Sequence, residues 1–273
     1  MQDFSISPKE MVVSLWRNRD LVKQMVKREV VGRYRGSFMG ILWSFFTPLL
    51  MLVIYTFVFS FIFKTRWNIS EQESKINFGI MLFVGMIIHG LFAECINRAP
   101  ALILSNVNYV KKVVFPLEIL PWVAFGSALF HCGVSLLVLI VALIIFTGHI
   151  PLTALFFPLV LLPLIFAIIG FAWFLSSLGV FIRDIGQVTG ILTTVLLFIS
   201  GVFFPMSALP APYRTWLMLN PLAVIIEEGR NVLILGKLPE PALWCVMMVL
   251  GLLISWSGFA WFQKTRRGFA DVL

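Results

Sequence analysis

Uncharged apolar runs, separated by short basic, polar or proline-rich segments, dominate the chain. They fall at about residues 39–63, 78–96, 119–146, 152–181, 188–204 and 242–262. The hydrocarbon core of a bilayer is roughly 30 Å thick and takes about 20 apolar helical residues to cross. The pattern therefore predicts an all-α integral membrane protein with six transmembrane helices, the third and fourth long enough to tilt or break. The sharpest boundary lies in Arg28–Phe63, where the basic, glycine-punctuated stretch REVVGRYRGSF leads into a run without a single charge.

Ahead of the first span, Ser7, Pro8 and Glu10 form a helix start: an N-cap, a proline at the first helical position and a capping-box acid. Met11, Leu15, Val22 and Val26 then share one face, while Arg17, Arg19, Lys23 and Lys27 make the rest polar. Such a helix lies in the membrane interface, either as an anchor or as a docking surface for a cytoplasmic partner, with Asn18 placed to break it in two. Gly32, Gly36 and Gly40 follow at four-residue spacing, extended by Ser44. They read either as a row for close helix packing in lipid or as a bend between surface helix and span. Residues 97–118 form the largest cytoplasmic loop, with a short helix expected before Pro116, and RDIGQ at Arg183–Gln187 is a tight turn. Residues 205–241 are semi-apolar and broken by Pro205, Pro210, Pro212, Pro221 and Pro239; two short helices near 212–219 and 222–235 are expected, neither able to span. Irregular backbone at membrane depth survives only against protein or a water-filled cavity, so this segment reads as a re-entrant lining on the external side.

Composition agrees: 60% hydrophobic residues and 12% charged exclude an ordinary soluble domain. The net charge of +8 would suggest nucleic acid in a soluble protein, but its distribution says otherwise. Residues 1–38 hold eight basic side chains, and with Arg98, Lys111, Lys112, Arg183, Lys264, Arg266 and Arg267 the proposed inner side has fifteen of the 21. Lys64, Arg66, Lys75, Arg214, Arg230 and Lys237 are left outside. This bias places both termini in the cytoplasm and draws the basic face to anionic membrane lipid, with no nucleic-acid partner. The first apolar run begins too late and is too long for a cleavable signal peptide. Residues 1–38 are thus a cytoplasmic amphipathic interface segment, and 39–273 a single six-span transmembrane domain.

Little in the chain suggests catalysis. There is no phosphate-binding loop, no HExxH and no G-x-S-x-G, and no metal-ligand spacing among His, Asp and Glu. His89, His131 and His149 read as hydrogen-bonded packing residues, and Cys95, Cys132 and Cys245 as small buried ones. Glu94 is the one acid within a span; Arg98, one turn on, can pair with it, the alternative being a polar translocation path. An ion-coupled transporter would need more buried ionisable groups and repeated halves. A membrane enzyme would need convergent acids, and the adjacent Glu227 and Glu228 point about 100° apart on a helix. The 27 Phe, nine Trp and four Tyr residues face lipid or interfacial belts, or some line a channel with rigid faces.

The block REVVGRYRGSFMGILWSFFTP, the loop NYVKKVVFPLEILP, the RDI turn and the segment GVFFP…YRTWLMLNPLAVIIEEGR together resemble the type-2 ABC transporter permeases that export polysaccharides. The O-antigen exporters are nearest and the teichoic acid exporters next; the likeness runs through nearly the whole chain in order. It implies a half-transporter that pairs with a second copy of itself (a homodimer) in the bacterial inner membrane. A cytoplasmic ABC ATPase dimer would drive it, with ATP and Mg on that partner and no cofactor on this chain. The substrate implied is a polysaccharide linked to undecaprenyl diphosphate, with a capsule or teichoic acid polymer as the alternative. The resemblance also implies roles for particular residues. Trp16, Arg19, Asn106, Tyr109, Arg183 and Asp184 would contact the ATPase. Arg28, Arg33, Arg35, Lys111 and Lys112 would hold the diphosphate, Arg by its bidentate geometry, or else only anchor the topology. Trp43, Phe46, Tyr55, Phe59 and Trp173 would line the channel. Pro205, Tyr213, Trp216, Asn220 and Glu227 would belong to an external gate.

Overall fold

The computed structural model describes residues 5–58, 75–111, 115–204 and 210–273; Phe59, Lys112, Pro205 and the side chain of Tyr213 lie outside the described residues. Every regular element among the described residues is helical. The N-terminal segment forms two helices, α1 (Pro8–Arg17) and α2 (Arg19–Tyr34). Ser7 caps the first by accepting from the Lys9 amide at 3.3 Å. The break falls at Asn18, whose Nδ2 donates to the Ser14 carbonyl at 2.8 Å. That bond draws the side chain back onto the preceding turn and favours a stop over a continuous helix.

The glycine row is a bend. Helix α2 ends at Tyr34, Gly36 and Gly40 take φ of +84° and +56°, and no neighbour stands within 4 Å of a Cβ built at Gly32, Gly36 or Gly40. Positive φ is readily open to glycine alone, so these residues turn the chain into the first span instead of packing helices together.

Among the described residues, five helical stretches are long and apolar enough to cross a membrane: Gly40–Val58, Phe78–Ala101, Leu117–Thr147, Leu152–Phe181 and Pro241–Val272. They contain α3 (Trp43–Tyr55), α4 (Lys75–Arg98), α6 (Leu120–Thr147), α7 (Phe157–Phe181) and α11 (Pro241–Thr265). The remaining apolar run is shorter than its hydropathy suggests. Helix α8 (Ile185–Ile199) closes at Ser200, where Gly201 has φ of +68°. Its fifteen residues reach about 22 Å. Helix α4 is the axis of the bundle, with 78% of its apolar window buried against 11% for the stretch containing α3. Helix α8 turns Thr189 and Thr193 inward and most of its aliphatic side chains outward, with Leu196 and Leu197 packed against the core. Its inner face is tied to α4 by His89 Nε2 to the Thr193 carbonyl (3.0 Å) and by the Thr193 hydroxyl to Asn97 Oδ1 (3.1 Å).

The closest helix pair is α7 with α11. Pro163, Gly170 and Ser177 face Gly251, Gly258 and Thr265, so both helices run in the same direction with contacts repeating every seven residues. A Cβ at Gly258 would overlap the carbonyl of Gly170, and one at Gly170 the carbonyl of Ile254. Small residues let backbones touch where lipid supplies no hydrophobic drive between helices. Ser177 and Thr265 close one end of the seam at 2.6 Å, and Trp244 Nε1 donates to the Leu159 carbonyl at 2.8 Å near its other end. Cys95 and Cys132 are buried, but Cys245 is exposed on the outer face of α11, contrary to the expectation for all three.

The stretch 97–118 is less regular than a single helix. Tight 3-10 turns at Ala99–Ala101 and Leu104–Asn106 lead into α5 (Val107–Lys111). On the opposite side, α9 (Ala211–Met218) and α10 (Pro221–Leu233) occupy the expected proline-rich segment. A last turn, α12 (Phe269–Val272), buries Phe269 completely.

Candidate functional site

Some of the described residues that the sequence marked fall in two clusters, one at the end of the bundle where α2 meets α4 and one around α10. In the first, Glu94 accepts from Arg98 at 3.5 Å as expected, but also pairs with Arg33, while Arg98 reaches Glu29 of α2. Two acids and two arginines thus join the surface helix to the central span. All four are partly exposed, so each pair contributes at most about 1 kcal/mol; the network chiefly sets the position of Arg33. Beside it the Tyr34 hydroxyl lies 3.3 Å from His131 Nδ1. Burial holds the Tyr34 phenol above its ordinary value, opposed by the Arg33 charge.

The other basic residues are placed differently. Arg28 donates to the Tyr109 hydroxyl at 3.3 Å, and Tyr109 stacks on Phe115 with ring centres 4.3 Å apart. Lys111 binds the Leu273 carbonyl. Arg35 is exposed at the end of α2. The structure therefore joins Arg28 to Tyr109 of the loop and Arg33 to the Glu94 network, but does not gather the basic residues into one pocket.

A residue that the sequence reading passed over anchors α1. Glu118 is 7% exposed and accepts from the Ser14 hydroxyl at 2.8 Å and from Arg266 at 2.7 Å. Its backbone carbonyl takes the Trp173 indole N–H at 2.9 Å, and Arg266 also donates to the Phe115 carbonyl at 2.9 Å. The carboxylate thus joins α1 to the end of α11 at the start of α6, and the backbone carbonyl of the same residue adds α7. Its signal was faint: an acid two residues after Pro116 at the mouth of a span. Breaking a buried pair from one side costs about 3 kcal/mol or more. Glu118→Gln is therefore expected to free α1, raising its amide hydrogen exchange at least about tenfold while α4 and α7 keep their protection. Unchanged exchange over residues 8–17 would show that α1 is held by its apolar face alone.

Trp16 is 71% exposed with the Arg19 guanidinium over its ring at 4.8 Å. Asn106, Arg183 and Asp184 lie on exposed or partly exposed turns, and the 99–101 turn packs against α7 so tightly that a Cβ at Gly179 would overlap the Pro100 carbonyl. Among the aromatics, Trp43 and Phe46 stand exposed on α3, and Tyr55 is partly buried against the core. Trp173 differs: it is 1% exposed, edge-on to Trp122 and Phe259, and faces no open space within this chain. It is a packing post, because its N–H must find an acceptor inside the bundle and does so at Glu118.

Around α10, Asn220 caps the helix by accepting from the Leu222 amide at 3.1 Å and donates to the Ser200 hydroxyl at 2.9 Å. Trp216 is 74% exposed, and Glu227 lies 3.4 Å from Arg230. Arg230, counted from sequence as an external surface charge, is 1% exposed. Its guanidinium donates to the carbonyls of Met81 (3.0 Å), Gly201 (2.8 Å) and Val202 (2.7 Å).

A bundle of apolar helices, a surface helix ion-paired to its central span and a proline-rich pair of short helices at the other end form one arrangement, and the comparisons with known proteins follow it. A family model described as ABC-2 type transporter matches residues 20–234, from α2 through α10. The O-antigen export system permease protein RfbA of Myxococcus xanthus is 26% identical over 267 residues, covering 96% of this chain and 98% of the relative. The protein of the same name from Klebsiella pneumoniae is 23% identical over 255 residues, 93% of this chain and 95% of its own. The polysialic acid transport protein KpsM of Escherichia coli is 25% identical over 224 residues, 80% of this chain and 83% of its own. With five helices among the described residues able to cross a bilayer, this is a multi-pass membrane protein, and the chain belongs to the ABC-2 type transporter family.

Proposed function

We propose that the chain is the permease half of an ATP-driven exporter that carries a polysaccharide linked to undecaprenyl diphosphate, of the O-antigen kind, across the bacterial cytoplasmic membrane. The observation that carries this is the end-to-end match to O-antigen export permeases, 96% of this chain against 98% of the relative. The capsule exporters match less of it, 77–80%, which favours the O-antigen reading over the capsule one. In this reading α8 makes the sixth crossing, both termini are cytoplasmic, and the working unit is a homodimer. The open face of α3, with Trp43 and Phe46, suits a channel built between two copies.

A cytoplasmic ABC ATPase dimer supplies the energy and holds the ATP and Mg. Trp16 and Arg19 on α1, Asn106 and Tyr109 in the loop, and Arg183 and Asp184 in the tight turn form its docking surface. Its stroke would enter the bundle through Ser14–Glu118–Arg266 and through the α2–α4 ion network. Arg28, Arg33 and Arg35, with Lys111 and Lys112, receive the diphosphate; Arg33 must exchange Glu94 for it. Helices α9 and α10, with Pro205, Tyr213, Trp216, Asn220 and Glu227, close the external end.

The test is ATP hydrolysis by the purified complex. Lipid-linked polysaccharide is expected to stimulate it, and Arg33→Ala with Arg35→Ala to lower the stimulated rate several-fold more than the basal rate. Equal losses would mean misassembly and remove the diphosphate assignment. A chain that never co-purifies with an ATPase would overturn the exporter reading itself.

A further inference from the structure

A groove of about 410 Å³ runs along the outer side of α2, lined by Val22, Val26, Val30 and Val31, by Ile41 past the glycine bend, and by Phe130 of α6. Its volume falls within the range of small-molecule sites. Helix α2 is held against α6 where Val26 meets Gly126, so the trough is preformed. Its outer wall is exposed apolar surface: Val31 and Ile41 are 52% and 49% exposed, and Phe38 beside them is fully exposed.

The same groove is edged by two cations. Lys23 and Lys27 line it one helical turn apart, and both are exposed. Among the described residues no carboxylate lies within ion-pair distance of either: Asp20, a turn before Lys23, makes no pair with it, and Glu29 is taken by Arg98. Arg28 projects about 100° away from Lys27 around the helix, toward Tyr109, so the groove is separate from the residues assigned to the substrate diphosphate.

We propose that this groove binds an anionic phospholipid, one acyl chain against the valines, Ile41 and Phe130, and the phosphate between Lys23 and Lys27. Each half of the site alone would suit many ligands. Together, an apolar trough with two unpaired ammonium groups at its lip matches an amphiphile with a hydrocarbon chain and a negative head. An interfacial helix with a cationic edge binds membrane by these two terms jointly, and each lysine near an anionic surface contributes about fivefold in affinity. Such a lipid would fix the angle between α2 and the first span.

The test uses the whole chain in phosphatidylcholine nanodiscs containing phosphatidylglycerol with a photoreactive acyl chain. Labelling is expected on α2, Ile41 and Phe130, and weakly with the phosphatidylcholine version of the probe. Lys23→Gln with Lys27→Gln should raise the phosphatidylglycerol fraction needed for half-maximal labelling about 30-fold. Removing the same charge at Lys9 and Arg17 should not. Val31→Trp, which fills the trough with both lysines intact, should abolish labelling of Phe130; gel filtration and thermal stability matching the parent show that each variant is folded. Equal labelling by both probes regardless of the lysines would mean an unspecific lipid belt and overturn the proposal. So would displacement of the probe by equimolar undecaprenyl diphosphate, which would make the groove a substrate site, or a disulfide between two copies through Val31→Cys, which would make it a subunit contact.

Discussion

Gly258→Leu is expected to abolish the folded bundle, and Gly170→Val to come close to it. At both positions a new side chain would have to occupy the place of a backbone carbonyl on the facing helix, which no rotamer change relieves. Overpacking a tight core costs about 1–3 kcal/mol when side chains can shift, and more where they cannot. The informative pair is the alanine series. Elsewhere in a helix, glycine to alanine gains up to about 1 kcal/mol in propensity. Gly133→Ala in α6, where nothing stands within 4 Å, should be neutral or stabilising, and Gly258→Ala should lower the apparent melting temperature in detergent. Similar behaviour of the two variants would mean that α7 and α11 do not meet through their backbones.

Arg230→Met is expected to release α10 from the rest of the molecule. The guanidinium joins α10 to α4 through Met81 and to the end of α8 through Gly201 and Val202. It lies just past the C-terminus of α8, where the helix dipole favours a cation. Gly85 leaves the space for it, since a Cβ there would lie 2.9 Å from Arg230 Nη2. Methionine fills similar volume but takes one donor from each of three carbonyls, a loss of about 3–5 kcal/mol. Hydrogen exchange should rise across 221–233 and at 200–202, with α7 and α11 unchanged. Arg230→Lys should not rescue it, because one ammonium cannot reproduce a planar fork aimed at three carbonyls. Unchanged protection of α10 in both variants would contradict this role, and in the exporter reading the loosened segment should also make the external end leak.

Spans, surface helix and proline-rich segment could be read from the chain because each depends on local pattern: run length for the spans, one-sided apolar spacing for α1 and α2, proline for the breaks. Seams between elements could not. Gly32, Gly36 and Gly40 had the spacing of a packing row but turned the chain, because positive φ at two of them ends the helix. The packing row was at Gly251 and Gly258 against Pro163 and Gly170, seven apart and split between two distant runs, a pairing that appears only once the helices are side by side. Charge was misread for the same reason. Glu94 was noticed because it lies within a span, and its pairing with Arg98 followed from one turn of helix. Glu118 with Arg266 joins residues 148 apart in sequence, and Arg230, an external charge by position, proved to be a buried donor. Trp173 shows the limit for aromatics, whose type does not tell a lumen from a core.

The exporter reading rests on coupling between this chain and an ATPase, and transport across a sealed membrane tests it most directly. Proteoliposomes would hold this chain and its ATPase, with fluorescent undecaprenyl-diphosphate-linked polysaccharide in the leaflet facing the ATPase. The glycan is expected to become accessible to an impermeant lectin on the far side only when ATP, Mg and both proteins are present, and not with an ATPase unable to hydrolyse ATP. Equal translocation by this chain alone, or translocation following an ion gradient without ATP, would contradict it.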